Sequence, residues 1–131
     1  LWEEIDYLPA GSAGGVNFGW NIREGSHPYN TNSPDPGNLV NPVHEYDHSI
    51  GCSITGGAVY HGTRMPEWQG VYFFGDFCQG SIFGLSRSDS GTTVKQISQI
   101  NATISSFGVD GAGELYALDH GSGIIYRFEP R

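Results

Sequence analysis

Five consecutive residues, His44-Glu45-Tyr46-Asp47-His48, match the H-E-x-x-H pattern that binds zinc in metalloproteases. That chemistry needs a helix, so that both imidazoles fall on one face and the Glu carboxylate reaches the metal-bound water. The context refuses a helix: Pro42 stands just before the motif, Gly51 just after, and the run has no amphipathic helical period. It reads as a strand or turn whose histidines hydrogen-bond locally. Two cysteines, Cys52 and Cys78, each lie beside a predicted strand. The residues alone leave open a disulfide in an oxidising compartment or two free thiols in a reduced one. Asp76 and Asp119 recur in equivalent turns, which points to a structural Asx-type hydrogen bond rather than catalysis. Asn101-Ala102-Thr103 is a glycosylation acceptor pattern, meaningful only in a eukaryotic secretory context. Glu3, Glu4 and Asp6 read as a solvated strand face.

The element that positions these groups is Val71 to Leu85, VYFFGDFCQGSIFGL. It reads as two aromatic and β-branched strands joined by a turn containing Asp76, Cys78 and Gly80. A second copy runs from Glu114 to Phe128, ELYALDHGSGIIYRF. At an offset of 43 residues, Asp76 falls on Asp119, Gly80 on Gly123, Ile82 on Ile125, Phe83 on Tyr126 and Leu85 on Phe128. Self-similar hairpins at such a period mark a radially repeated β architecture, above all the β-propeller.

Around this repeat the chain divides into a first region, 1–51, a four-stranded blade at 52–98 and three strands of a further blade at 99–131. Strands are predicted at 54–61, 70–75, 81–86, 92–98, 104–109, 114–118 and 123–128. The glycine pair Gly56-Gly57 marks a place where another backbone approaches closely. In the first region 1–8 reads as a strand and Asn17 to Trp20 as a short aromatic segment. Ser26 to Pro42, with four prolines, reads as a long irregular loop without secondary structure.

Composition agrees with an all-β chain: 131 residues hold 20 glycines and 13% aromatics but only 15% charged residues. The net charge is −8 with six Lys and Arg, so no basic stripe is present for nucleic acid or anionic membranes. No window is apolar and long enough to span a membrane. Neutral substrates such as sugars stay open. The first residue is not Met, and the chain reads as a piece excised from something longer. As a fragment it would expose strand edges, so self-association, or pairing with the missing N-terminal blades, is expected.

The runs EYDHSIGCSITGGAVYHG, GVYFFGDFCQGSIFGL and ISSFGVDGAGELYALDHGSGIIYRF, with the opening LWEEIDYLPAGSAGGVNFGWNIREG, resemble the C-terminal part of the glucose/sorbosone dehydrogenases. The resemblance implies part of a six-bladed β-propeller: about two antiparallel blades plus a long irregular loop. It implies a protein that, when intact, oxidises an aldose or related sugar by hydride transfer to pyrroloquinoline quinone (PQQ) with calcium. The catalytic histidine and calcium ligands would then lie upstream of Leu1, and the chain alone would be inactive. A periplasmic or extracellular location and a Cys52–Cys78 disulfide are implied likewise. His61, after the V-Y of the G-G-x-V-Y motif, and nearby Arg64 take the place of the family's basic contact to the quinone carboxylates. Where the better-known enzymes carry two arginines, this chain has Ser105-Ser106-Phe107-Gly108. Related animal proteins keep the scaffold and bind partners. The alternative is therefore a non-catalytic propeller whose Ser26 to Pro42 loop and acidic surface contact a protein or glycan.

Overall fold

The computed structural model describes residues 1–130 and is built of β-strands, with one 3-10 turn, Pro66–Trp68, as its only helical element among the described residues. It divides into two units, Leu1–Ile50 and Gly51 onward.

In the first unit, β1 (Trp2–Ile5) pairs antiparallel with β4 (His44–Asp47), in the register Trp2 to Asp47 and Ile5 to His44. The region 26–42 is not wholly irregular. His27–Pro28 forms a two-residue strand, β3, against β2 (Arg23–Glu24), and Asn17 bridges Leu39. Two-residue pairings leave no periodicity, which is why the sequence showed only a loop.

The second unit holds two antiparallel sheets. The first has the order β5 (Ile54–Val59), β6 (Tyr72–Asp76), β7 (Ser81–Ser88), β8 (Gly91–Gln99). The second has β9 (Ile104–Val109), β10 (Leu115–Asp119) and β11 (Ile125–Arg127), with β10 in the middle. Meandering sheets of this kind, one after another, are successive blades. The alternating apolar residues of β6, β7, β9 and β10 supply the core between them. Tyr60, Met65, Phe73, Ile82 and Leu115 are buried, and Trp68, Ile97, Phe107 and Phe128 pack against them. Phe73 is the hub. It meets Trp68 at 5.6 Å, Phe128 at 5.4 Å and Tyr60 at 6.4 Å in edge-to-face contacts, the geometry that ring quadrupoles favour.

The two first strands are tied by Thr55 Oγ1 donating to the Ile104 carbonyl at 2.9 Å. Within the first sheet, pairing of β5 with β6 jumps from Thr55–Gly75 to Ala58–Phe73, a bulge at the glycine pair. At Gly57 the backbone of β6 comes so close that a Cβ would stand 1.6 Å from the Phe73 carbonyl oxygen.

The recurring aspartates do the same job in each blade. Asp76 accepts the N–H groups of Cys78 (2.9 Å) and Gln79 (2.8 Å) on one oxygen and of Ser53 (3.0 Å) on the other. Asp119 accepts the N–H groups of Gly121 (2.9 Å) and Thr103 (2.8 Å), and the Ser122 hydroxyl at 2.5 Å. Each carboxylate closes its own turn and fastens the residue just ahead of its blade's first strand.

Candidate functional site

The zinc-like motif lies on a strand. On β4 the side chains alternate, so His44 and Tyr46 point one way and Glu45 and Asp47 the other, while His48 lies in the turn beyond the strand. His44 meets Tyr46 edge-on at 6.1 Å, and burial holds its imidazole below the usual histidine range against the pull of Glu45. His48 lies 3.2 Å from Glu3, and Glu45 accepts from Ser26 N (2.6 Å) and Ser26 Oγ (2.7 Å). The glutamate and the two histidines serve different partners and do not converge on a metal. The motif is a strand running into a turn, as its flanking Pro42 and Gly51 indicated, but the His48 contact is not local: Glu3 lies 45 residues away in sequence.

Cys52 and Cys78 form a disulfide, with Cα atoms 5.7 Å apart. It joins the approach to β5 to the turn after β6, beside the Asp76 hydrogen bonds. Cys52, Asp76 and Cys78 are the one cluster of metal-ligand type among the described residues. The sulfurs are bonded to each other and the carboxylate is filled by three backbone N–H groups, so the cluster is structural.

His61 and Arg64 sit in the turn after β5. His61 is exposed. Arg64 donates to Glu129 at 2.9 Å, and Glu129 also pairs with Arg127. Beneath this turn lies Glu114, 4% exposed. It accepts the Tyr60 hydroxyl at 2.7 Å and the N–H groups of Thr63 (2.9 Å) and Arg64 (3.1 Å). Burial pushes the Glu114 carboxyl up, but these three hydrogen bonds and the Arg64 charge outweigh it and leave it below the usual range. Tyr60 moves the other way, its phenol raised by burial and by the Glu114 carboxylate. Glu114 escaped the sequence reading because its partners lie 50 to 54 residues away. Asp110 adds a third carboxylate, held low by the Glu114 and Ala112 amides and the Tyr116 hydroxyl against its burial.

PQQ carries three carboxylates. The turn that would meet them offers the Arg64 and Arg127 cations against Glu114, Glu129 and Asp110, with both arginines already shared by Glu129. This donor set does not fit a tricarboxylate. On β9, Ser105 and Ser106 are exposed hydroxyls. They can hydrogen-bond but bring no charge.

The opposite end of β5, where Cys52 lies, carries a small polar depression of about 250 Å³. Cys78, Asn101, Ala102, Thr103, Asp119 and Ser122 line it. Thr103 and Ser122 are fixed by Asp119. Burial raises Asp119 less than the Ser122 hydroxyl and Thr103 amide lower it, so it stays ionised. The sequence reading saw Asn101 to Thr103 only as a glycosylation pattern. A second, apolar cleft of about 530 Å³ runs between Trp68, Phe73, Ile82 and Ile97 on one side and Tyr126 and Phe128 on the other. It is the open continuation of the core. Neither concavity is lined by His61 or Arg64.

Antiparallel meanders packed face to face, with a stapling aspartate repeated in each, define part of a β-propeller. Comparison with known proteins gives the family. The chain matches the Glucose / Sorbosone dehydrogenase family over residues 4–127 and belongs to it. It is 27% identical over 122 residues to an uncharacterized protein of the cyanobacterium Synechocystis, covering 88% of this chain and 29% of that protein. Among solved structures it is similar to the soluble aldose sugar dehydrogenase of Escherichia coli in its apo-form. The TM-score is 0.61 at 21% identity, over 89% of this chain and 36% of that one. At that identity the likeness speaks for the fold. The chain thus spans about a third of the length of the proteins it matches.

Proposed function

We propose that this chain is part of a longer protein that oxidises an aldose or a related sugar. The observation that carries the reading is the family match over residues 4–127, which takes in both units and every strand but the first two residues of β1. The polar depression supports it. The Asn101 amide and the Thr103 hydroxyl offer neutral donors and acceptors suited to sugar hydroxyls, beside the Asp119 carboxylate, which already holds the Ser122 hydroxyl. Its volume is below the about 300–1,000 Å³ of a drug-sized ligand site, which suits one ring or one edge of a ligand. PQQ with calcium is the acceptor that the family resemblance implies for the intact protein. His61 and Arg64 do not fit it, so no step is assigned to them. The Cys52–Cys78 disulfide supports an oxidising compartment, periplasmic or extracellular. No helix among the described residues is long and apolar enough to cross a membrane.

A second reading, a non-catalytic propeller that binds a protein or glycan, is favoured by the uncharged Ser105 and Ser106 and by the engaged Arg64. One experiment separates the two. The longer protein, supplied with PQQ and calcium, is assayed for aldose-dependent reduction of an artificial electron acceptor. Turnover is expected from the longer protein and none from residues 1–131 alone. Loss of affinity for sugar in Asn101→Ala and Thr103→Ala would place the depression at the substrate. No turnover with any aldose would favour the binding propeller.

A further inference from the structure

The first unit holds two large aromatic rings out in solvent over a hydrogen-bonded backbone. Trp20 is 69% exposed and Tyr29 53% exposed, with ring centroids 5.0 Å apart and planes inclined by 32°. Single exposed rings are ordinary on any surface. A touching pair is different when the backbone beneath it is locked. Arg23 N donates to the Gly19 carbonyl at 2.8 Å, Tyr29 N to Ile22 at 2.8 Å and Asn30 N to Asn21 at 3.1 Å. These bonds bind the segment bearing Trp20 directly to the segment bearing Tyr29. Asn17 Oδ1 accepts Gly19 N at 3.0 Å, and Gly19 takes φ +112°, a conformation open to glycine, to turn the chain under the indole. The backbone that carries the touching rings is thus fixed before any ligand arrives, which lowers the ordering cost of binding.

The polar groups around the pair have a definite character. The Arg23 guanidinium is occupied by Asn41 Oδ1 at 2.9 Å and Asp35 Oδ2 at 3.2 Å, so its charge is matched. Asn21, next to Trp20, is exposed. Asn30 is held by its own loop through Ser33 and Asn32. A ligand here meets an apolar face edged by amides and by an internally neutral ion pair, on a chain of net charge −8. That disfavours polyanions, and Asp35, already paired with Arg23, adds no free carboxylate for a cation beyond the ring faces themselves. It suits a molecule with one C–H face and a rim of hydroxyls.

We propose that Trp20 and Tyr29 form a docking platform for the pyranose face of a neutral saccharide. The C–H face of the ring lies on the aromatic pair, and the rim hydroxyls meet the Asn21 amide. The inference goes beyond the proposed oxidation and does not rest on it, since binding here moves no electrons and uses none of the second unit.

The test is a titration of the 15N-labelled chain, following the indole N–H signals of its three tryptophans, with methyl β-D-glucopyranoside and cellobiose as probes. Mannitol, a polyol without a ring, is the control. Saturable millimolar shifts are expected at the Trp20 indole and at the Asn21 and Asn30 amides, with Trp2 and Trp68 unmoved. Trp20→Ala and Tyr29→Ala should each weaken binding at least about tenfold while the amide signals of β1 and β4 keep their positions. The proposal is overturned by the absence of saturable shifts in the unaltered chain, by equal shifts with mannitol, or by undiminished affinity in a folded Trp20→Ala variant. It is also overturned if the Trp20 indole of the longer protein is shielded from acrylamide quenching, since the rings would then be covered by that protein itself. Sugar oxidation by the longer protein is scored separately, so either result can fail without the other.

Discussion

Replacing Gly57 by alanine should damage the first blade far more than the same change one residue earlier. An alanine Cβ at position 57 would lie 1.6 Å from the Phe73 carbonyl oxygen, 2.6 Å from its carbon and 3.2 Å from the Phe74 Cα. Ordinary contact needs roughly twice the first of these distances. The obstacle is backbone in β6, the strand that carries Phe73 and Phe74, so no side chain can swing aside. Either the bulge moves or the β5–β6 ladder opens. Overpacking that flexible side chains can absorb costs about 1–3 kcal/mol. A rigid obstacle places Gly57→Ala at or above the top of that range. The gain of about 0.4–1 kcal/mol from a stiffer unfolded chain does not offset it. At Gly56 the nearest atom to a new Cβ is the Tyr72 hydroxyl at 3.8 Å, so that variant should lie within about 1 kcal/mol of the parent. Urea unfolding followed by near-ultraviolet circular dichroism measures both. With about 4–8 °C per kcal/mol for a unit of this size, melting should fall by more than about 8 °C for Gly57→Ala and barely move for Gly56→Ala. Equal stability of the two variants would refute the close-approach argument.

Acid should weaken the second unit, and below about pH 4 the first as well, where Glu24, Glu45 and Asp47 are also held low. Asp110, Glu114 and Asp119 are all held below their ordinary values of 3.8, 4.5 and 3.8. A lowered folded value means stability present above the ordinary value and lost as pH falls through the folded one. Melting of this unit should hold steady above about pH 5 and decline below about pH 4, with Asp119→Asn melting lower at neutral pH and showing a shallower decline. In the first unit Glu4 is raised by burial and by the charges of Asp6, Glu45 and Glu24, and Asp6 is raised by burial. Their ionisation opposes folding, but burial of His44 on β4 makes its protonation oppose folding over the same range, so it is in a His44→Gln background that β1 and β4 should gain protection from hydrogen exchange as pH drops from 7 toward 5. Cys52→Ser/Cys78→Ser removes a crosslink over 26 residues and should cost about 3–4 kcal/mol. The blade should stay folded, because Asp76 still closes the turn; loss of all native circular dichroism would count against that. The free side of β11, with Ile124 and Ile125 exposed, should drive concentration-dependent association in sedimentation velocity, relieved by Ile125→Lys.

The repeat was legible because a period-2 pattern and a turn aspartate recur at one offset, and strands 104–109 and 81–88 start where the aromatic and β-branched runs start. The glycine pair announced the bulge, since a strand tolerates glycine where another backbone crowds it. The Cys52–Cys78 bond was implied only by resemblance, not by the residues. What stayed hidden depends on distant partners. Arg64 looked like a free cation until Glu129, 65 residues on, closed over it, and Glu114 looked like the first residue of a strand. Nothing local marks either role. The Trp20–Tyr29 contact was equally silent, since a two-residue hairpin brings the rings together without a pattern.

Asp76 and Asp119 each secure the entry to their own blade from within it. A blade equipped this way carries its own entry anchor, while the seam between blades is held separately, by the buried Glu114 of one and Tyr60, Thr63 and Arg64 of the other. Splicing at the residue ahead of each first strand would therefore keep every aspartate anchor intact, provided each new seam supplied partners for the carboxylate at the Glu114 position.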